Sequence, residues 1–345
     1  MANRIKEKYM AGKRYFDYPM LFLVIFLICF GLVMIYSTSS YKSTVTYGNS
    51  YHWLLRQAVA IVLGAVAMVV CCKLDYHIIK SEKFGNGCYW ASIVLLVLVL
   101  IIGAAKKGAV RWISIAGFQF QPSEVSKILV VIYLANRLSA NAHKIRTFKD
   151  SIVIVLPTVP IIALIVTQNL STALVVCSMI GVMLFVVSPK MKELMLTAGG
   201  GIILLFVYLL TANSYRNERV QIWLHPESHK KGFQTMQALY AIGSGGIFGK
   251  GLGQSMQKMG FIPESHNDMI FSIICEELGL FGAVCLILVF VALIFRMLLI
   301  ALNTEDLFGS LIVIGFYDTY RNSGIYQYCC CNKHDPTDRN STSIY

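Results

Sequence analysis

The chain has 345 residues, of which 56% are hydrophobic and only 14% charged, and it carries a formal net charge of +12. A soluble globular domain has about 25% charged residues, so a water-soluble fold is excluded and an integral membrane protein built of spanning helices is expected. Lys and Arg gathered on cytoplasmic loops account for the positive balance without a nucleic-acid partner.

In chain order, residues 1–18 form a basic tail with Arg4, Lys6, Lys8, Lys13 and Arg14. The first apolar run is full length and has no small-residue cleavage site, so it is expected to stay as a span. A span needs about 20 apolar residues. Spans are expected at 19–37, 53–72, 88–104, 125–139, 152–167, 170–188, 192–212 and 270–300. Only "TQNLS" separates the fifth and sixth, which predicts a tight helical hairpin. A ninth run begins at Leu307 and stops near Gly315.

Lys73, Lys80 and Lys83 follow the second span, Arg137, Lys144, Arg146 and Lys149 the fourth, and Lys190 and Lys192 the sixth. These fall on the side of the N-terminus, which the charge bias makes cytoplasmic. The connection 38–52 and the long segment 213–269 then lie outside. The long segment is itself basic, which asks for an anionic partner. Its "QALYAIGSGGIFGKGLGQS" is rich in glycine, but the spacing fits neither the P-loop nor the dinucleotide fingerprint. Close backbone packing of a re-entrant or interfacial segment is the better reading. Cysteines number ten; those in the apolar runs read as small buried hydrophobes. No Cys-X-X-Cys pair is present, and no zinc site is expected.

Three stretches gather chemistry. In "KKGAVRWISIAGFQFQPSEVSK", residues 106–127, Arg111 and Trp112 suit an interface and a lipid phosphate. Glu124 and Lys127, three apart where Pro122 and Ser123 open the fourth span, form either a self-neutralising pair or a functional one. In "TQNLSTAL", Asn169, Ser171 and Thr172 can cap the sixth span. In "GFIPESHNDMIFSIICEELG", residues 260–279, His266, Asn267 or Asp268 can cap the eighth. A helical reading puts Ser272, Cys275 and Gly279 on the Asp268 face, Glu276 beside it and Glu277 nearly opposite. An Asp partly desolvated at a membrane boundary can accept a proton. A lone His such as His266 is ordinarily bland.

These stretches, with "GLVMIYSTSS", "NLSTA" and the glycine-rich segment, resemble in content and order the SEDS family of bacterial envelope proteins, the FtsW, RodA and SpoVE group. The likeness runs from about residue 18 to residue 315 and leans toward the division and sporulation branch. It implies an all-α polytopic membrane protein with about eight complete transmembrane helices of an expected ten. A long extracytoplasmic loop, 213–269, would join the seventh and eighth. It implies a glycosyltransferase that polymerises lipid II, a disaccharide-peptide on undecaprenyl pyrophosphate. Asp268 would be catalytic, with Arg111, Trp112, Gln121, Ser123, Glu124, Lys127, Lys250, Glu264 and His266 binding substrate. A class B penicillin-binding transpeptidase and other divisome or sporulation proteins would be partners, and a divalent cation, magnesium or manganese, is compatible. No protein metal site and no nucleic acid are expected. The alternatives are a lipid II flippase, a scaffold that only recruits the transpeptidase, or an inactive relative.

The last stretch breaks the pattern. From residue 316 the sequence "FYDTYRNSGIYQYCCCNKHDPTDRNSTSIY" is polar and ends the resemblance. With suitable synonymous codons, reading one base later gives an apolar run followed by "PQTGIPLPF", similar to the late motif of the family. A reading-frame shift is therefore expected, with 316–345 a non-native tail. Two spans would then be lost, one of the acids Glu276 and Glu277 would face lipid, and the chain would be inactive or poorly folded.

Overall fold

The computed structural model describes residues 16–106, 109–115, 118–145, 148–188, 232–262 and 267–331. The expected seventh span, 192–212, lies outside the described residues.

Helix α1, Tyr18–Tyr47, starts where Asp17 Oδ1 accepts the amide of Met20 at 2.9 Å, and it ends at Gly48, whose φ of 66° is left-handed. At 1.5 Å per residue it is about 45 Å long, well beyond a hydrocarbon core of about 30 Å. The expected outer connection at 38–52 is thus mostly helix. The hydroxyls of "STSS" do not end it, because Thr38 Oγ1 bonds the Met34 carbonyl at 2.8 Å and the buried face accepts small side chains. Helix α2, His52–Lys73, packs on α1 and buries no residue, as a lipid-facing helix should.

A dry bundle follows. Helices α3 (Glu82–Ile102), α4 (Pro122–Asn141), α5 (Phe148–Val155), α6 (Val159–Gln168) and α7 (Leu170–Val187) enclose a cluster including Leu96, Val131, Leu134, Leu138, Ile161, Ile165, Met179 and Met183. Gly85 lets α4 come close: a Cβ there would stand 3.1 Å from Asn136 Cβ. The predicted hairpin at "TQNLS" is tight, and Asn169 Oδ1 caps α7 by accepting the Ser171 amide at 3.1 Å.

Between α3 and α4 the chain forms a small antiparallel sheet, β1 (Ala104–Lys106), β2 (Ala109–Ile115) and β3 (Phe118–Phe120), in the order β1-β2-β3. An all-α reading missed it. The strands are short and pair locally, and in "VRWISI" only Ile113 and Ile115 alternate, too briefly to be distinguished from a loop.

Helices α8 (Phe233–Ser244), α9 (Ile270–Asn303) and α10 (Leu307–Cys331) complete the described fold. Six helices among the described residues are long and apolar enough to cross a membrane. The expected fourth span, now α4, is not one of them. The ninth apolar run ends near Gly315, but the helix does not. Helix α10 continues through Phe316 to Cys331, packed on α9, α7 and α4. Its polar residues partner one another. Asp318, fully buried, meets Arg321 and accepts from Asn322 Nδ2 at 2.7 Å and from Ser178 Oγ at 3.4 Å.

One end of the bundle is stitched by ion pairs, Arg296 with Asp17 at 2.6 Å and Lys80 with Asp306 at 2.9 Å. Partial burial pushes the Asp306 carboxyl up, but the Lys80 ammonium and the Gly309 amide outweigh it and hold the group below the usual carboxylate range. The residues of interest gather at the opposite end.

Candidate active site

Helix α9 is two helices. Gly279 has φ 69° and ψ −171°, so the chain breaks between a short half, 270–278, and a long half, 280–303. The long half is about 36 Å, which by itself spans a hydrocarbon core of about 30 Å. The break therefore belongs near the membrane boundary and not at mid-depth.

A break inside a membrane protein leaves backbone groups that must be satisfied. The glycine-rich loop does this with its own backbone. The Lys250 and Gly251 amides donate to the Glu276 and Glu277 carbonyls, each at 2.9 Å. The Leu280 and Phe281 amides donate to the Gly246 and Ile247 carbonyls, at 2.9 and 3.0 Å. Such contact needs residues without Cβ. A Cβ on Gly249 would stand 2.2 Å from the Glu277 carbonyl oxygen, and one on Gly279 would stand 2.3 Å from the Gly249 nitrogen. The glycines thus serve backbone packing, as the sequence reading favoured.

Side chains lock the same seat. Glu276 is fully buried and takes the Lys250 ammonium at 2.7 Å, the Ser255 hydroxyl and, at 3.3 Å, the Met256 amide. Glu277, also fully buried, takes the Lys258 ammonium at 2.8 Å and the Ser37 hydroxyl at 2.7 Å. Lys258 Nζ also donates to Ser37 Oγ at 3.1 Å. Neither acid faces lipid, contrary to the expectation from the lost spans. The expected faces were drawn from Asp268 as a helical residue, whereas Asp268 precedes the helix, and the loop wraps the end of the short half and meets both acids. Lys258 counted in the sequence only toward the basic charge of the long segment, and Ser37, Ser244 and Ser255 were not singled out. Two acids inside an apolar run were the available signal that buried cations had to exist somewhere.

Asp268 lies two residues before the short half and is half-buried. It does not cap α9. Met269 holds the cap position, with no side-chain capping bond, and the Ile270 amide meets the Asn267 carbonyl at 3.3 Å. Glu264 and His266 lie outside the described residues. The second group sits where α4 begins. Gln121 is the N-cap residue and donates from Nε2 to Ser123 Oγ at 3.0 Å. Lys127, largely buried, meets Glu124 at 2.9 Å, while Glu124 is exposed. This is the self-neutralising pair, with the carboxylate left open to solvent or ligand. Trp112 is half-buried on β2 beside it in sequence, and Arg111 falls at a bulge, where Ala104 pairs Trp112 and Ala105 pairs Val110. Lys250 is committed to Glu276 and Ser244, so an anion there would compete with a buried carboxylate.

An apolar cavity of about 440 Å³ opens between α1, α9 and α10, lined by Phe30, Met34, Ile270, Phe271, Ile274 and Tyr320 among others. A second, of about 370 Å³, continues along α1 and α2 and shares Leu27, Gly31, Phe290 and Tyr320 with it. The first begins two residues from Asp268.

The fold and the site together define a polytopic α-helical membrane protein with a cluster of buried ionisable residues at one end around a broken helix. The FtsW/RodA/SpoVE family model, described as cell cycle protein, matches residues 18–319, and the chain belongs to that family. It is 35% identical over 310 residues to the probable peptidoglycan glycosyltransferase FtsW of Geobacter metallireducens, covering 87% of this chain and 81% of that protein. It is 34% identical over 309 residues to stage V sporulation protein E of Bacillus subtilis, covering 87% and 82%. Among solved structures, a chain from a peptidoglycan synthase complex that coordinates polymerization and crosslinking superposes with a TM-score of 0.75 at 26% identity, over 92% of this chain and 88% of that one. The rod shape determining protein RodA of Thermus thermophilus gives 0.61 at 25% identity, over 89% and 82%.

Proposed function

We propose that this chain is a peptidoglycan glycosyltransferase that polymerises lipid II at the outer face of the bacterial cytoplasmic membrane during division or sporulation. The observation that carries the reading is a half-buried carboxylate, Asp268, two residues before the helix whose Ile270, Phe271 and Ile274 line an apolar cavity, in a chain whose relatives bear that name. A lipid-linked sugar needs both: a dry groove for the polyprenyl tail and a base at the boundary where the sugar emerges.

In the proposed reaction the acceptor 4-hydroxyl attacks the anomeric carbon of the donor. A carbon–oxygen bond forms, and the bond from that carbon to the pyrophosphate oxygen breaks. Asp268 takes the hydroxyl proton, and the electron pair leaves with the undecaprenyl pyrophosphate. Lys127 and Arg111, at the end of the bundle that carries Asp268, would bear on the charge of the leaving group. Trp112, Gln121, Ser123 and Glu124 would line the sugar path.

Among the described residues, no three His, Cys, Asp or Glu side chains converge. Glu276 and Glu277 are already saturated by lysines and hydroxyls, so they do not fit a cation. Asp268 or the exposed Glu124 would be the carboxylate to meet a magnesium or manganese ion, which would supply charge neutralisation for the pyrophosphate. A class B penicillin-binding transpeptidase is the proposed partner, with other division or sporulation proteins, and the N-terminus is proposed to be cytoplasmic.

The test is polymer formation on a gel from purified protein, lipid II and partner. Asp268→Asn is expected to keep the fold and lipid II binding and to abolish polymer. Near-normal polymer from a folded Asn variant sinks the reading. A broken helix at the membrane boundary is also a transporter device. In the flippase reading, Asp268→Asn instead stops translocation in vesicles and polymer never forms.

A further inference from the structure

The short half of α9 runs only from Ile270 to Leu278, about 14 Å of helix. A helix that short has little stability of its own. Its C-terminal end is fixed where the loop is seated. Backbone bonds from the loop fix the carbonyls of Glu276 and Glu277, and the side chains of the same two residues fix the rotation about the axis.

The two acids act differently. Glu276 pairs with Lys250, which is about a third exposed, and its partners all belong to α8 and the loop. Glu277 joins three elements: its own helix, the loop through Lys258, and α1 through Ser37, with all three side chains buried. Helices α1 and α9 also wall the apolar cavity. A rotation of the short half would therefore move Phe271 and Ile274 in the cavity wall and Asp268 beyond the first turn together.

A buried ion pair is weak evidence for stability, since apolar residues of similar volume serve as well or better; its best-attested use is to specify one geometry. We propose that Glu277, Lys258 and Ser37 are positioning residues for Asp268, holding in one orientation the short half of α9 that Asp268 precedes and whose Ile270, Phe271 and Ile274 line the cavity. This rests on Asp268 being the base of the glycosyl transfer.

The test replaces the pair together, Lys258→Met with Glu277→Leu, so that no lone buried charge unfolds the protein. The melting temperature is expected within a few degrees of wild type, whereas amide exchange over 267–274 speeds up. In the same variant kcat for polymer falls roughly tenfold or more, in line with the cost of misplacing a catalytic group, with KM changed less than about twofold. The reciprocal swap, Lys258→Glu with Glu277→Lys, is expected to recover both protection and kcat. Lys80→Gln, at the far end, should alter neither. An apolar variant that exchanges and turns over like wild type overturns the proposal and leaves the pair merely structural. If the wild-type chain makes no polymer at all, the glycosyltransferase reading falls, and amide exchange alone decides the positioning role. Unchanged protection over 267–274 overturns it, and lost protection supports it.

Discussion

Two buried regions of this protein are built on opposite principles. Between α3, α4, α6, α7 and α10 the interior is apolar, with Leu134, Leu138, Ile161 and Met183 fully enclosed. At the seat of the broken α9 two fully buried carboxylates meet two ammonium groups, one buried and one partly exposed, and three serine hydroxyls. In lipid, apolar helix faces gain nothing from leaving water, and association rests on packing and interhelical hydrogen bonds. The first region is therefore tolerant: any well-fitting apolar surface serves. The second is exacting, because each buried charge has few partners and each loop carbonyl has one place to go.

Breaking the seat should cost more than breaking the packing. The largest effect is expected from Gly249→Ala. Its Cβ would overlap the Glu277 carbonyl at 2.2 Å, at a φ of 77° that disfavours L residues. More than about 4 kcal/mol is expected, in the range reserved for such steric failures, read as loss of folded protein in detergent by size exclusion. Lys258→Met alone, which strands the Glu277 carboxylate, should cost about 3–5 kcal/mol, read from thermal melts. A loss smaller than that of Leu134→Ala would show the two regions to be alike.

Leu134→Ala opens a hole in the dry cluster. It should cost roughly 2 kcal/mol, at the low end of the large-to-small range, because lipid replaces water as the reference. The smallest effect belongs to the stitched far end. Lys80→Gln should cost less than about 1 kcal/mol, since both partners are partly exposed and salt screens them. Asp306 has a folded pKa below its unfolded value. Its contribution is thus full above the unfolded pKa, about 3.9, and is lost as pH falls through the lower folded one. The melting-point gap between wild type and Asp306→Asn should close as pH is taken below about 4, and a gap that widens in acid would reverse the sign assigned here.

Most of the helices were legible because a period and a length suffice to recognise them. The apolar runs, the tight hairpin at Asn169 and the helix start at Pro122 follow from local rules that need no partner. The Glu124–Lys127 pair followed from helical spacing alone. The candidate residues Asp268, Trp112, Gln121, Ser123 and Lys127 were named from motifs, and the fold brings their elements to one end of the bundle. The length of α1 escaped because "STSS" reads as a turn until a neighbour covers its hydroxyls. The sheet before α4 escaped because its strands are too short to show a period.

By itself, then, the sequence determined that the chain belongs in a membrane, which segments are apolar enough to cross it, and that its acids needed company. Only the tertiary structure decided what that company was. The break at Gly279, the loop that fills it and the pairing of Glu276 with Lys250 and Glu277 with Lys258 join residues 19 to 34 positions apart. Ser37 reaches Glu277 across 240. No local pattern encodes such contacts, because a carboxylate in a nonpolar surround is stabilised by whichever cation the fold delivers, and delivery depends on how distant backbones pack.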